Sequence, residues 1–145
     1  KGFTGRHCDQ EITPSKIQII GITAIKLPPF DRNGSNWDPL GGKPDIYFRI
    51  VEESTGTTVM TSGYGSNLNP AEEVSVDLGG SSVLLNSPTS RYIIEAWDYD
   101  DIDADDYMGG IIFTPYKNGQ RFPGQVHLSC LGCNTAWTMD LTYLF

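Results

Sequence analysis

The clearest periodicity lies at the end of the chain, where Trp137, Met139, Leu141, Tyr143 and Phe145 alternate with Thr138, Asp140, Thr142 and Leu144. A period of two sends alternate side chains to opposite faces of an extended backbone, so this segment is predicted to be a strand with one buried face. Ile46, Phe48 and Ile50 keep one parity in the same way, and Ile17, Ile19, Ile25 and Leu27 keep one along a longer run that begins at Lys16. Val59-Met60, Val74-Val76-Leu78, Val83-Leu84-Leu85, Tyr92-Ile94-Ala96 and Ile111-Ile112-Phe113 supply five further short strands rich in β-branched and aromatic residues. Clusters of Gly, Pro, Asn and Ser separate these runs, and no segment sustains a helical period. The pattern predicts an all-β fold, an antiparallel eight-stranded β-sandwich over residues 16–145. Pro28 to Pro44 and Thr114 to Ser129 carry no strand pattern and are expected to be loops, the places where compact domains concentrate function. Residues 1–15 lack apolar periodicity and are expected to be an irregular segment leading into the domain.

A chain of 145 residues fits one domain with a self-sufficient core, and its 39% hydrophobic against 19% charged residues exclude both a disordered polar chain and a coiled coil. No apolar run reaches the ~20 residues a membrane-crossing helix needs, so no transmembrane segment is expected. The formal net charge of −8 repels a phosphate backbone, which removes nucleic acid from the candidate partners. The acids are also unevenly spread. Asp98, Asp100, Asp101, Asp103, Asp105 and Asp106 are six of the twelve aspartates and fall within nine positions. A solvated edge that discourages aggregation would need only one or two charges, so the cluster points to a bound cation.

Trp97-Asp98-Tyr99-Asp100 stands where the strand begun at Arg91 runs out, and alternation places Asp98 and Asp100 on one face. The following loop returns into the next apolar strand and brings Asp103, Asp105 and Asp106 back toward the same rim. Hard carboxylate oxygens in this number suit calcium, which accepts six to eight of them. A helix-flanked calcium loop does not fit. Starting it at Asp101 puts Asp106 where the turn needs Gly and Ile112 where the bidentate Glu should stand.

A different pattern does fit. Asp98-x-Asp100 followed by Asp106, with Met108-Gly109 two positions on, resembles the third calcium loop of C2 domains. Asp38-Pro39-Leu40-Gly41-Gly42-Lys43-Pro44-Asp45-Ile46-Tyr47 is similar to the first calcium loop and following strand of that family. The resemblance implies a C2-like, Greek-key sandwich that binds calcium through Asp38, Asp45, Asp98, Asp100 and Asp106, with Asp103 at the auxiliary position. The first loop is one residue longer than the family pattern, and Ile46 stands where Pro is general. Asp31 is a competing ligand at that corner. Thr57-Thr58-Val59-Met60-Thr61 carries none of the lysines with which the family binds phosphoinositides, so lipid binding is not implied with the fold.

Gly2-Phe3-Thr4-Gly5-Arg6-His7-Cys8 resembles the last turn of an EGF-like module, so residues 1–15 are read as the tail of such a module and its linker. Such modules are extracellular and disulfide-stapled, which implies an oxidising compartment, a protein that continues upstream, and an extracellular or cell-surface location with a lipid anchor as one option. His127, Cys130 and Cys133 offer three zinc ligands where a structural site needs four. Given the extracellular context, a local Cys130–Cys133 disulfide is favoured over two reduced thiols, with Cys8 left over. No nucleophile-elbow Ser accompanies either histidine, and the Asp-only rim lacks the isolated acid that glycoside hydrolysis requires, so no enzyme is expected. Phe30, Trp37, Tyr64 and Tyr99 keep a sugar-stacking platform open, and Ile102 or Trp37 could enter a membrane surface once metal neutralises the loops. The expected function is a non-catalytic, calcium-binding recognition or spacing module. Its partner would be an extracellular protein, a glycan or a membrane surface. The alternatives are a purely structural sandwich with incidental metal and a carbohydrate-binding accessory module.

Overall fold

The computed structural model describes residues 1–75, 78 and 82–145, and Val76 of one expected strand lies outside them. Eleven strands are present among the described residues, in place of the eight expected. They are β1 (Phe3–Thr4), β2 (Gln10–Glu11), β3 (Lys16–Lys26), β4 (Ile46–Glu52), β5 (Thr58–Thr61), β6 (Val74–Ser75), β7 (Val83–Leu85), β8 (Tyr92–Asp98), β9 (Asp106–Phe113), β10 (Gln125–Leu128) and β11 (Ala136–Leu144). One sheet has the order β5-β4-β8-β9, and the other runs β10-β11-β3-β6 with β7 also on β3. All named pairings are antiparallel. The chain crosses between the sheets four times and β11 returns to pair with β3, a Greek-key connectivity.

Three of the sequence expectations need correction here. Residues 1–15 are not wholly irregular, because β1 pairs with β2 in a small sheet of their own. The expected loop Thr114 to Ser129 contains β10, an edge strand in which Gln125 and His127 face out and Val126 and Leu128 are half-buried, an alternation only four residues long. The parity of β3 also changes twice. Asp140 pairs with Gly21 but Leu141 with Ile19, leaving Ile20 as an extra residue, and a second shift leaves Ile25 extra. Each bulge reverses which face the next side chain takes. Ile17 and Ile19 are therefore buried, then Ile22 and Ala24, then Leu27, while Ile25 is turned out.

The other expected faces hold, except that Phe145 at the end of the last alternating run lies beyond β11 and is exposed. Ile46, Phe48 and Ile50 of β4 meet Trp137, Met139 and Leu141 of β11 in one continuous core. Phe48 and Trp137 make an edge-to-face contact at 4.8 Å across the sheets, and both are fully buried. The loop between β3 and β4 is anchored by Trp37, whose indole N–H donates to the Pro28 carbonyl at 2.9 Å while its ring enters the core. Cys130 and Cys133 are joined across the turn between β10 and β11, with Cα atoms 5.2 Å apart, and Cys8 is exposed and unpaired. That pairing takes up both thiols a zinc site would have used.

Truncating a fully buried aromatic loses its transfer energy and leaves a cavity that the surroundings only partly fill. Phe48→Ala should therefore cost about 3–5 kcal/mol of unfolding free energy, read from the urea midpoint at unchanged slope. A loss below about 1 kcal/mol would mean that the Phe48–Trp137 contact is not the centre of the core.

Candidate metal centre

β4, β8 and β9 lie side by side, and their ends meet at one end of the sandwich. Ile46 pairs with Asp98, and Asp98 pairs in turn with Asp106. Asp98 and Asp106 thus stand directly opposite each other across two strands, where like charges destabilise a sheet. This register depends on a bulge. Ala96 pairs with Gly109 but Trp97 with Tyr107, so Met108 is the extra residue. Gly109 has φ +142, and a Cβ there would come within 2.8 Å of Thr135, so both conformation and space call for glycine. The strand consequently begins at Asp106, five residues before the apolar run Ile111-Ile112-Phe113 that marked it in the sequence.

Asp98 follows the inward parity of Ile94 and Ala96 and is 2% exposed. Its Oδ1 accepts the Asp45 N–H at 2.7 Å. Burial pushes its carboxyl up to about 6, the Asp45 hydrogen bond works against that rise, and the charges of Asp100, Asp45 and Asp106 add to it. Asp100 is also raised, by burial first and then by the charges of Asp106, Asp105, Asp103 and Asp38. Asp38 from the loop after β3 and Asp103 from the loop after β8 therefore act on the same carboxyl. Asp38 holds its own turn by accepting the Leu40 N–H at 2.8 Å. Asp45 accepts the Asn67 N–H at 2.8 Å through its Oδ1 and the Tyr99 N–H at 2.8 Å through its carbonyl.

Asp31 spends one oxygen on a local turn, accepting the Asn33 and Ser35 N–H groups at 2.8 Å each. It nonetheless lines a cleft together with Asp38 and Asp106 beside Trp37. Two residues without an assigned role complete the rim. Asp105 accepts the Tyr47 hydroxyl at 2.8 Å, which pins the loop between β8 and β9 to β4, and the Asp100 N–H at 3.1 Å, which closes that loop on itself. Burial, followed by the Asp105 hydrogen bond, pushes Tyr47 up to about 12. The sequence carried a signal for this, since Tyr47 has outward parity next to Ile46 and Phe48, but its partner is 58 residues away.

Among the described residues, no three Asp, Glu, His or Cys side chains converge closely enough to chelate an ion as they stand. The acids form an open rim whose members are braced by amide and hydroxyl donors. The donor set is made of carboxylate oxygens without nitrogen or sulfur, which suits a hard cation such as calcium and not zinc. A buried carboxyl facing three like charges is the electrostatic defect that such a cation relieves.

No family model and no curated protein matches the chain. Solved structures do. One C2 domain of a plant Extended Synaptotagmin 1 superposes with a TM-score of 0.61 at 12% identity, covering 92% of this chain and 97% of that one. A structure described as a C2 domain superposes at 0.57 with 14% identity over 90% of this chain and 98% of its own. Human GIVD cytosolic phospholipase A2 superposes at 0.59 with 12% identity over 90% of this chain, but the chain spans only 16% of that enzyme's length. At such identities the likeness establishes the fold alone, and the fold is a C2-like β-sandwich.

The raised Asp98 carboxyl makes a prediction with a defined sign. Between 3.8 and about 6 the folded state holds a proton that the unfolded chain has released. Unfolding free energy then falls as pH rises through this window. In chelator, the melting temperature of the parent measured against Asp98→Asn should decline between pH 4 and pH 6.5, and a rising difference would contradict the burial of a strained carboxyl.

Proposed function

We propose that the chain is a non-catalytic, calcium-binding C2-like module that serves recognition or spacing in an extracellular or surface-anchored protein, preceded by the tail of an EGF-like unit. One observation carries the calcium reading: Asp98 and Asp106 face each other on neighbouring strands, with Asp45 and Asp100 beside them. A cation shared by Asp45, Asp98, Asp100 and Asp106 turns their mutual repulsion into attraction. Asp38 closes the site from the first loop, Asp103 is auxiliary, and Asp31 is the alternative ligand in the same cleft.

Among an extracellular protein, a glycan and a membrane surface, the rim favours the membrane surface as ligand. Leu40 and Ile102 are 95% and 94% exposed on the two loops that carry the acids. Of the four aromatic groups that a glycan would need, Trp37 is 7% exposed and Tyr64 stacks on Tyr99 at 4.7 Å, which leaves Phe30 as the one free exposed ring among them. Trp37 is accordingly a core anchor and is withdrawn from the groups that could enter a membrane. β5 contributes no basic residue, so neutralisation of the rim has to come from the metal.

Calcium that binds only the folded state stabilises it by RT ln(1 + [L]/Kd), about 2.7 kcal/mol at a hundredfold excess over Kd. Thermal melting in calcium against chelator should show a rise of several degrees. Asp100→Asn should weaken calcium binding at least tenfold while leaving the metal-free protein no less stable. An unchanged melting temperature in calcium, or undiminished affinity in Asp100→Asn, would reduce the rim to a solvated edge.

Vesicles containing phosphatidylserine test the second half of the reading. The protein should stay in solution with chelator, because like charges repel, and should sediment with the vesicles in calcium. Replacing Leu40 and Ile102 with Ser together should abolish that sedimentation without changing the calcium-induced shift in melting temperature. Equal sedimentation by parent and double variant would exclude the loop tips as the contact.

A further inference from the structure

The end of the sandwich away from the carboxylates carries an aromatic cluster that calcium binding does not use. Phe122, in the loop between β9 and β10, stands edge-on to Tyr143 at 5.3 Å and to Phe145 at 5.0 Å, and parallel to Tyr116 at 5.8 Å. The start of the chain folds onto this cluster. Phe3 meets Phe122 edge-on at 5.4 Å. Gly2 is buried with φ +92, and a Cβ there would come within 2.8 Å of the Phe145 ring, so only glycine lets the backbone lie so close.

Polar groups hold the same segment from its other strand. Glu11 accepts the Gly119 N–H at 2.6 Å and the hydroxyl of the buried Tyr116 at 3.2 Å, and bonds to a charged acceptor are the stronger kind. Ile12 N–H closes back on the Gly2 carbonyl at 2.8 Å, and Ser15 N–H joins the Leu144 carbonyl at 2.7 Å just before β3 begins. β1 and β2 have two residues each, and a hairpin of that size has no stability of its own in water. Its order must come from the surface beneath it.

We propose that the surface formed by Tyr116, Phe122, Tyr143 and Phe145 is a docking face for the chain's own residues 2–12, and that docking makes this segment a rigid post instead of a flexible linker. The post stands at the far end from the metal rim. Lys16 pairs with Leu144 at one end of β3, and Lys26 pairs with Ala136 at the other, where the chain enters the loop that carries Asp31 and Asp38. The 11 residues of β3 separate the two ends by roughly 35 Å at ~3.3 Å per residue. The rim is thereby held in a constant orientation relative to the N-terminal segment, with no hinge between them.

Backbone ¹⁵N relaxation on the 145-residue chain tests this. Thr4, Gln10 and Glu11 should show order parameters near about 0.85, matching β3, and Phe3→Ala should lower them below about 0.6 while β3 and β11 stay rigid. Phe122→Ala should do the same from the other side of the contact, and Phe3→Ala supplies the answer if that variant does not fold. The calcium-induced shift in melting temperature should be equal in parent and Phe3→Ala, so that failure of the calcium reading would be seen separately. A flexible segment in the parent, or unchanged order in Phe3→Ala, would overturn the proposal. So would order that is lost on dilution as a dimer dissociates.

Discussion

The acidic end of this molecule is organised around one electrostatic conflict. The hydrogen-bond register of β8 with β9 sets Asp98 opposite Asp106, while the inward parity of β8 buries Asp98 and removes the water that would screen it. A buried carboxylate beside like charges either takes up a proton or takes up a cation. The fold tolerates the conflict by bracing Asp98, Asp45 and Asp105. The backbone N–H of Asp45 serves Asp98, that of Asn67 serves Asp45, and that of Asp100 serves Asp105, which also receives the Tyr47 hydroxyl. These donors reduce the repulsion without removing it, and they fix the positions of the acids before any ligand arrives.

That bracing depends on small irregularities in otherwise regular strands. Without the extra residue at Met108, the acids of β9 would present the opposite parity to β8, and Asp106 would leave the rim. Without the bulges at Ile20 and Ile25, the run from Ile17 through Ile22 to Leu27 could not be buried on one side, because a strict alternation places Ile22 on the face opposite Ile17 and Leu27. The glycine at 109 is the local condition for the first of these. Bulges of this kind concentrate near functional edges for the same reason: they re-aim a side chain without altering the sheet around it.

The two ends of the sandwich do different physical work. One end is charged, with aliphatic loop tips exposed around carboxylates, and it leaves electrostatic free energy for a ligand to release. The other is aromatic and satisfied, with Phe122 at the centre of contacts that tie both chain termini to the body. Between them lies a dry core organised by Phe48 and Trp137, which is long enough to keep the two ends electrostatically separate.

The amino-acid order by itself determined the class of the fold, most of the buried faces and the identity of the acidic rim. Alternation in β8, in β11 as far as Leu141 and in β4 as far as Ile50 is a local property that survives folding, and a cluster such as Asp98 to Asp106 is visible without knowing its neighbours. The resemblance of two loops to calcium loops then linked Asp38 and Asp45 to that cluster, and the register of β4 with β8 sets the start of β4, next to Asp45, against Asp98. Tertiary structure alone decided the rest. The bulges in β3 and β9 exist only as a mismatch between two strands, so neither strand's sequence displays them. The alternation of Gln125, Val126, His127 and Leu128 in the edge strand β10 covers only four residues, too few to mark a strand until β11 pairs with it, and β1 and β2 are strands because Phe122 and Glu11 hold them down. Asp105 acquired its role from Tyr47, across a separation no local pattern can report. Side-chain periodicity records which face of one element is dry. Which residues finally touch is set by register, and register is a property of pairs.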